Sequence, residues 1–432
     1  MARTILLAFI SLTLIGAVIR MPDAAFQASL QGLTVWWTIV FPGLLPFLVL
    51  FEMIAAFGLA HGLGVLMQAP MRKLFKLPGD AALPLVLGWM SGFTAGAEAT
   101  ADLRRREVLS PRDGQRLLAL SHMPNPMFML IVIGAGFMHR PELGIIIAAA
   151  VWLSALWTFG LQALLRRRKP DPAMEPGRDR QAGLTDGRGG LLGRAAAAIT
   201  SAREEDGRGF GKVLGDAVYS GVQKLMVVGG FIIFASVVAR LAQPLLQFVA
   251  PNGALDLSLP ALLEGHLGAY AAAVWQGPLS SASVNAALVA AVLAWSGISA
   301  ILQAGYAVSG TGLKLLPFIG SRLLHAVHAA LFALLLWKPA QAALAWLPLP
   351  LPVFFGGDGS SVKTEAAMLS HGDPMNAPLP LTVSDLPGLW PYALACAAAV
   401  AAACVLLSLI TKLTPPANRS VSIRNTNGGR RH

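Results

Sequence analysis

Hydrogen-bonding and ionisable residues set inside long apolar stretches are where this chain could do chemistry. Arg322, His325 and His328 recur every three residues in one such stretch, so Arg322 and His325 share a helical face while His328 drifts around it. A guanidinium at membrane depth must find a partner or an anion, and its planar fork suits a dicarboxylate. The internal carboxylates available to it instead are Glu264 and Glu98. Asn125 lies between Pro124 and Pro126, with Ser121 one turn earlier. Its amide can donate and accept, which fits a substrate with a ring nitrogen and carboxylate oxygens. Trp295, Ser296, Ser299 and Gln303 offer an aromatic face with polar neighbours in a later stretch. Plain helix packing is the other reading of Trp295.

Two Gly-rich segments add backbone donors. In Ser91-Gly-Phe-Thr-Ala-Gly-Ala-Glu98, the hydroxyls of Ser91 and Thr94 and the backbone at Gly92 and Gly96 could meet an anion at the N-terminus of a half-helix. The glycines could equally serve close helix packing. Glu98 is a candidate for a coupling cation or proton, or for an interfacial pair with Arg104 or Arg105. Glu264, with His266 beside it, holds the corresponding place in the second segment and is costly there unless paired or solvated.

The elements that position these residues follow from composition. Of 432 residues 55% are hydrophobic and 13% charged, and the mean hydropathy of +0.62 excludes water as the main solvent. A crossing helix needs about 20 apolar residues. Residues 33–57, 115–138, 143–165, 213–234, 284–308, 315–337 and 392–410 read as spans, with 5–19 as a retained first span. Residues 81–100 and 257–276 are apolar but rich in Gly and small polar residues and read as re-entrant hairpins, whose irregular backbone must be buried or line a cavity. Prolines at 42, 46, 124 and 126 break or kink their helices.

The two halves resemble each other. Val108-Leu-Ser-Pro111, Leu118-Ala-Leu-Ser121 and Met127-Phe-Met-Leu-Ile131 align with Pro278-Leu-Ser-Ser281, Leu288-Val-Ala-Ala291 and Ile298-Ser-Ala-Ile-Leu302. Placing every basic block on the inner side puts the first hairpin on the inner face and the second on the outer, so the repeats have opposite topology. The chain then divides into an N-terminal segment (1–32), a first membrane repeat (33–165), a basic cytoplasmic linker (166–212), a second repeat (213–338), an external loop (339–388) and a C-terminal helix with a basic tail (389–432).

Phe41-Pro-Gly-Leu-Leu-Pro-Phe47, Ser91-Gly-Phe-Thr-Ala-Gly-Ala97, Asn125-Pro-Met-Phe128, Trp295-Ser-Gly-Ile-Ser299 and Pro317-Phe-Ile-Gly-Ser-Arg-Leu-Leu-His325 occur in order over residues 33–337. In these motifs the chain resembles the sporulation integral membrane proteins of the YlbJ (SpoVV) type, within the nucleoside-recognition or Gate-domain superfamily. Phe93 and Thr94 stand where the family's hairpin carries Tyr-Pro. The resemblance implies an all-α polytopic fold similar to concentrative nucleoside transporters. It also implies a role in moving dipicolinate from mother cell to forespore, across the outer forespore membrane.

The net charge of +11 comes from residues flanking apolar segments rather than from a soluble basic patch, which argues against nucleic acid. Cys396 and Cys404 form no metal-type spacing, and neither a metal nor a cofactor is expected. No HExxH motif or paired intramembrane aspartate points to an enzyme. The expected function is transport by alternating access of a small anionic aromatic or nucleoside-like solute. A receptor or scaffold needed for spore formation is the alternative. The expected partners are the bilayer and that solute, and a homo-oligomer is left open.

Overall fold

The computed structural model describes residues 2–165, 190–246 and 254–346. All secondary structure among them is helical: α1 (Ala2–Arg20), α2 (Pro22–Val35), α3 (Phe41–Ala56), α4 (Leu59–Pro70), α5 (Ala82–Ser91), α6 (Phe93–Arg105), α7 (Pro111–Ser121), α8 (Pro141–Leu165), α9 (Leu191–Asp206), α10 (Phe210–Leu246), α11 (Ala254–Leu263), α12 (Gly265–Ala273), α13 (Ala282–Trp295), α14 (Gly297–Ala307) and α15 (Leu315–Trp346). Five helical stretches among the described residues are long and apolar enough to cross a membrane: Pro22–Ala56, Pro141–Gln162, Phe210–Pro244, Ala282–Ala307 and Leu315–Leu344.

The prolines act differently in two of the expected spans. Around Pro42 the helix continues, because the turn Trp36–Val40 widens and the N–H of Phe41 reaches back to the carbonyl of Trp36. A proline's missing donor is absorbed by such a one-turn bulge. The expected span 115–138 is instead cut in two. α7 ends at Ser121, residues 122–125 are non-helical, and a wide-wound segment, Phe128–Phe137, follows. Pro124 and Pro126 force this, since the residue before each proline is pushed out of helical geometry and neither proline can donate.

The described part of the expected linker 166–212 begins at residue 190. Residues 191–206 form α9, which packs on α4 by setting Ile199 against Gly58 and Gly62. α10 then begins at Phe210, and α15 runs on past Pro339 into the start of the expected external loop. The remainder of that loop and the expected span 392–410 lie outside the described residues.

Large apolar side chains line the outside of the molecule, among them Ile5, Phe9 and Leu12 of α1, Met226 and Phe234 of α10, and Leu316, Leu323 and Leu335 of α15. In water such an exterior would be untenable, whereas in hydrocarbon it costs nothing. The interior is built on the ends of the broken helices, where Leu117, Leu118, Met123, Met127 and Phe318 are fully buried.

Candidate functional site

Four interruptions of helical backbone meet in the interior. The first is Gly92, between α5 and α6, at φ 101°, ψ −170°, a conformation that only glycine adopts without strain. α5 and α6 pack on each other and on α7, so closely that a Cβ on Gly88 or Gly96 would stand 1.9 Å or 2.4 Å from the carbonyl oxygen of Ser121. Here the glycines permit close packing.

The second interruption follows α7. Asn125 is buried there and engaged at both ends of its amide: Nδ2 donates to the carbonyl of Met90 at 3.1 Å, and Oδ1 accepts from the N–H groups of Met127 (2.8 Å) and Phe128 (3.4 Å). It thus caps the helix that restarts after the prolines and ties it to α5. Ser121 is also buried, with Oγ 3.3 Å from Oγ1 of Thr100. Thr100 gives its own proton to the carbonyl of Gly96, so Ser121 is the donor of that pair.

The third and fourth interruptions lie later in the chain and carry other residues. Glu264, between α11 and α12, is 3% exposed and caps α12: Oε2 accepts from the N–H of Leu267 at 2.6 Å, while Oε1 lies 2.7 Å from Nδ1 of His266. Ser296, between α13 and α14, takes the left-handed conformation at φ 74° and is completely buried. Gly265 fits against its carbonyl, where a Cβ would stand at 2.7 Å. Both α7 and α13 start on a serine cap, Ser110 and Ser281 respectively.

The two sets of elements touch reciprocally. α6 packs on α14, and the Phe128–Phe137 segment packs on α12 with Phe128 edge-on to His266. At the centre, Nε2 of His122, in the first broken helix, lies 3.0 Å from Oγ of Ser296, in the second. The His122 ring is held between Phe93 and Phe318.

Arg322 of α15 closes the junction. Its side chain is completely buried, and Nη1 donates to the carbonyl of Ala119 (3.2 Å) while Nη2 donates to that of Ala294. These are last-turn carbonyls of α7 and α13, groups without an intrahelical partner at the negative end of each helix. One guanidinium therefore caps both broken helices. The carboxylates open to it from the sequence are placed elsewhere: Glu264 is taken by His266 and Leu267, and Glu98 is exposed on α6. Arg104 and Arg105, read as partners of Glu98, instead donate to carbonyls of Thr311, beyond the end of α14, and of Ala307, its last residue.

Of the other expected residues, Ser91 and Thr94 flank Gly92 and are partly buried, as is Gln303 on α14. Trp295 donates from its indole nitrogen to the carbonyl of Leu262 at 3.2 Å, joining α13 to α11. Ser299 is buried near the start of α14 with its hydroxyl unpartnered. His325 lies one turn after Arg322, and its Nε2 meets the carbonyl of Val151 on α8 at 3.0 Å. Four buried polar atoms of this region have no partner among the described residues: Nδ1 of His122, Oγ of Ser299, Nε of Arg322 and Nδ1 of His325. Unfilled buried donors and acceptors are rare, and a ligand or water is the usual reason. His122 escaped the sequence reading although it directly precedes the Met-Pro-Asn-Pro motif.

A family model described as nucleoside recognition (Gate) matches residues 37–141, which hold α5, α6 and the first broken helix. The sporulation integral membrane protein YlbJ of Bacillus subtilis (strain 168) is 36% identical over 363 residues, covering 79% of this chain and 84% of that protein. The chain belongs to the YlbJ family of sporulation integral membrane proteins. It is thus an integral membrane protein with a Gate segment, and the family match extends well beyond that segment. No solved structure matches the chain.

Proposed function

We propose that this YlbJ-family protein carries a small anionic solute across the membrane by alternating access, with dipicolinate entering the forespore as the substrate and the outer forespore membrane as the site of action. The observation that carries the proposal is the meeting of four interrupted helices at one buried junction, joined by His122 and Ser296 and capped by Arg322. Irregular backbone at membrane depth is tolerated where it is buried in protein or lines a cavity, and transporters place their substrates at such breaks.

In this reading α5–α6 and α11–α12 are re-entrant hairpins from opposite faces, and the two sets of elements are inverted repeats with the basic segments on the cytoplasmic side. The substrate's carboxylate meets Arg322, with Ser299 and the backbone at Gly92 as further donors, and Ser121 joins them only by giving up its bond to Thr100. Asn125 adds to this set only if it releases part of its cap, and Glu98 serves the junction only if α6 turns inward.

The test is uptake of labelled dipicolinate, and of a labelled nucleoside for comparison, into vesicles reconstituted with the purified protein. Dipicolinate uptake that is lost in Arg322→Ala, with the variant still folded, supports the proposal. Uptake of neither compound by well-folded protein refutes it for these substrates and turns attention to a receptor role.

A further inference from the structure

A row of histidines runs from the junction towards α8. His328 of α15 sits with Nδ1 2.7 Å from Oγ1 of Thr158, and Thr158 spends its own proton on the carbonyl of Ser154 at 2.6 Å. Nδ1 of His328 is therefore the donor, and its Nε2 is the lone-pair nitrogen of the neutral ring. One turn back, Nε2 of His325 faces the carbonyl of Val151, which can only accept. His325 thus carries its proton on Nε2, and its completely buried Nδ1 is a bare lone pair with no partner. Arg322 follows after one more turn, and His122 lies beyond it against Ser296.

The charged and titratable neighbours of His325 can be named from every element around it. α15 itself supplies Arg322 and His328, and the break after α7 supplies His122. The part of α8 facing it, around Val151, Ser154 and Thr158, has no titratable side chain, nor does α13, and α14 contributes only Tyr306, which is exposed. No Asp or Glu takes part in the hydrogen bonds of this row among the described residues.

That charge pattern is complete for one carboxylate and short by one cation for two. A dicarboxylate at Arg322 would leave a negative charge uncompensated in a buried site, which is costly. We propose, building on the transport reading above, that the coupling ion is a proton and that it is carried on Nδ1 of His325. The lone pair takes H+ to give an imidazolium when the dianion is bound, and gives it up on the other side when the anion leaves.

The experiment uses vesicles holding the full-length protein, labelled dipicolinate and an internal pH dye, with and without an imposed acid-outside gradient. The expected result is faster wild-type uptake under the gradient, with protons entering alongside dipicolinate. His325→Gln, which keeps a donor for Val151, loses the response to the gradient whatever its absolute rate. His61→Gln, a histidine on the exposed face of α4, retains it. Should His325→Gln fail to fold, calorimetry of dipicolinate binding to wild type in two buffers of different ionisation enthalpy reads the same proton. A gradient response that persists in His325→Gln, or wild-type uptake and binding indifferent to protons, overturns the inference and leaves transport standing. No dipicolinate movement by wild type removes both.

Discussion

Replacing Gly88 by alanine tests how the junction is held together. In a helix interior Gly→Ala is ordinarily a gain of about 1 kcal/mol. Gly320 of α15, with nothing within 4 Å of the added Cβ, shows that gain alone. At Gly88 the same methyl would stand 1.9 Å from Ser121 O, 2.8 Å from its carbonyl carbon and 3.0 Å from Cα of Gly96. All three atoms are backbone, so no rotamer change relieves the clash, and α5 must move by roughly 1 Å from α7 or the pair must distort, at a cost of about 1–3 kcal/mol or more. We expect Gly320→Ala to be as stable as wild type or better, and Gly88→Ala to fall below it by as much as about 2 kcal/mol after the helical gain is subtracted. Unfolding in detergent by heat or denaturant, followed by intrinsic fluorescence, reads the difference. Trp89, whose indole donates to the carbonyl of Leu120 at 2.9 Å, reports the same interface. A Gly88→Ala protein as stable as Gly320→Ala would refute the close approach of α5 to α7, and with it the geometry of the junction.

Glu264→Ala removes the cap of α12 and should cost about 1–2 kcal/mol in the same unfolding assay, with Glu264→Gln recovering part of it. Gly92→Ala places a side chain at φ 101° in ordinary contact with Asn125, 3.6 Å from its Cβ, without a clash, so its expected cost of about 1–3 kcal/mol is backbone strain; stability equal to wild type would mean that this turn relaxes freely. Arg322→Lys leaves a single point charge in place of a fork that spans Ala119 and Ala294, and we expect dipicolinate affinity to fall while Arg322→Gln loses it entirely, as read by equilibrium binding. Outside the membrane, Asp206 is held at about 2, below its ordinary 3.8, chiefly by the hydrogen bond from Arg208. A depressed carboxyl stabilises the folded form above its unfolded value and loses that effect as pH falls through the folded one. The protection of the α9 amides, taken relative to the unstructured exchange rate at each pH, should therefore be steady from neutral pH to roughly 4 and fall below it; a fall already near pH 6 would exclude Asp206 as the cause.

What was legible in the sequence was whatever a single segment decides. Apolar length marked five crossing stretches, and small residues marked the helix pairs at Gly92 and Glu264, because both properties act locally. Prolines were an ambiguous signal. Pro42 sits in a helix that a widened turn keeps continuous, while Pro124 and Pro126, two residues apart, leave no room for such a repair. The helix α9 was not legible in the expected linker, because what holds Ile199 is two glycines far away in the chain, Gly58 and Gly62.

The candidate site was half legible for the same reason. Arg322, Asn125, Glu264 and Ser296 were found by type, since a polar group in an apolar stretch must have a reason to be there. Their partners were not, because the sequence does not contain the geometry that pairs them. Arg322 was expected to meet an anion or a carboxylate, and it meets two carbonyls, at Ala119 and Ala294, that exist only because two helices stop there. This matters for mechanism as well as for reading. In the proposed transport cycle the arginine that rests on the negative ends of two broken helices is also the anion's partner. Binding a carboxylate would then compete with capping both helices, so occupancy of the site and the position of the two half-helices would be one equilibrium. Such a coupling needs no long pathway, since the residue that would recognise the anion is the residue that holds the halves together.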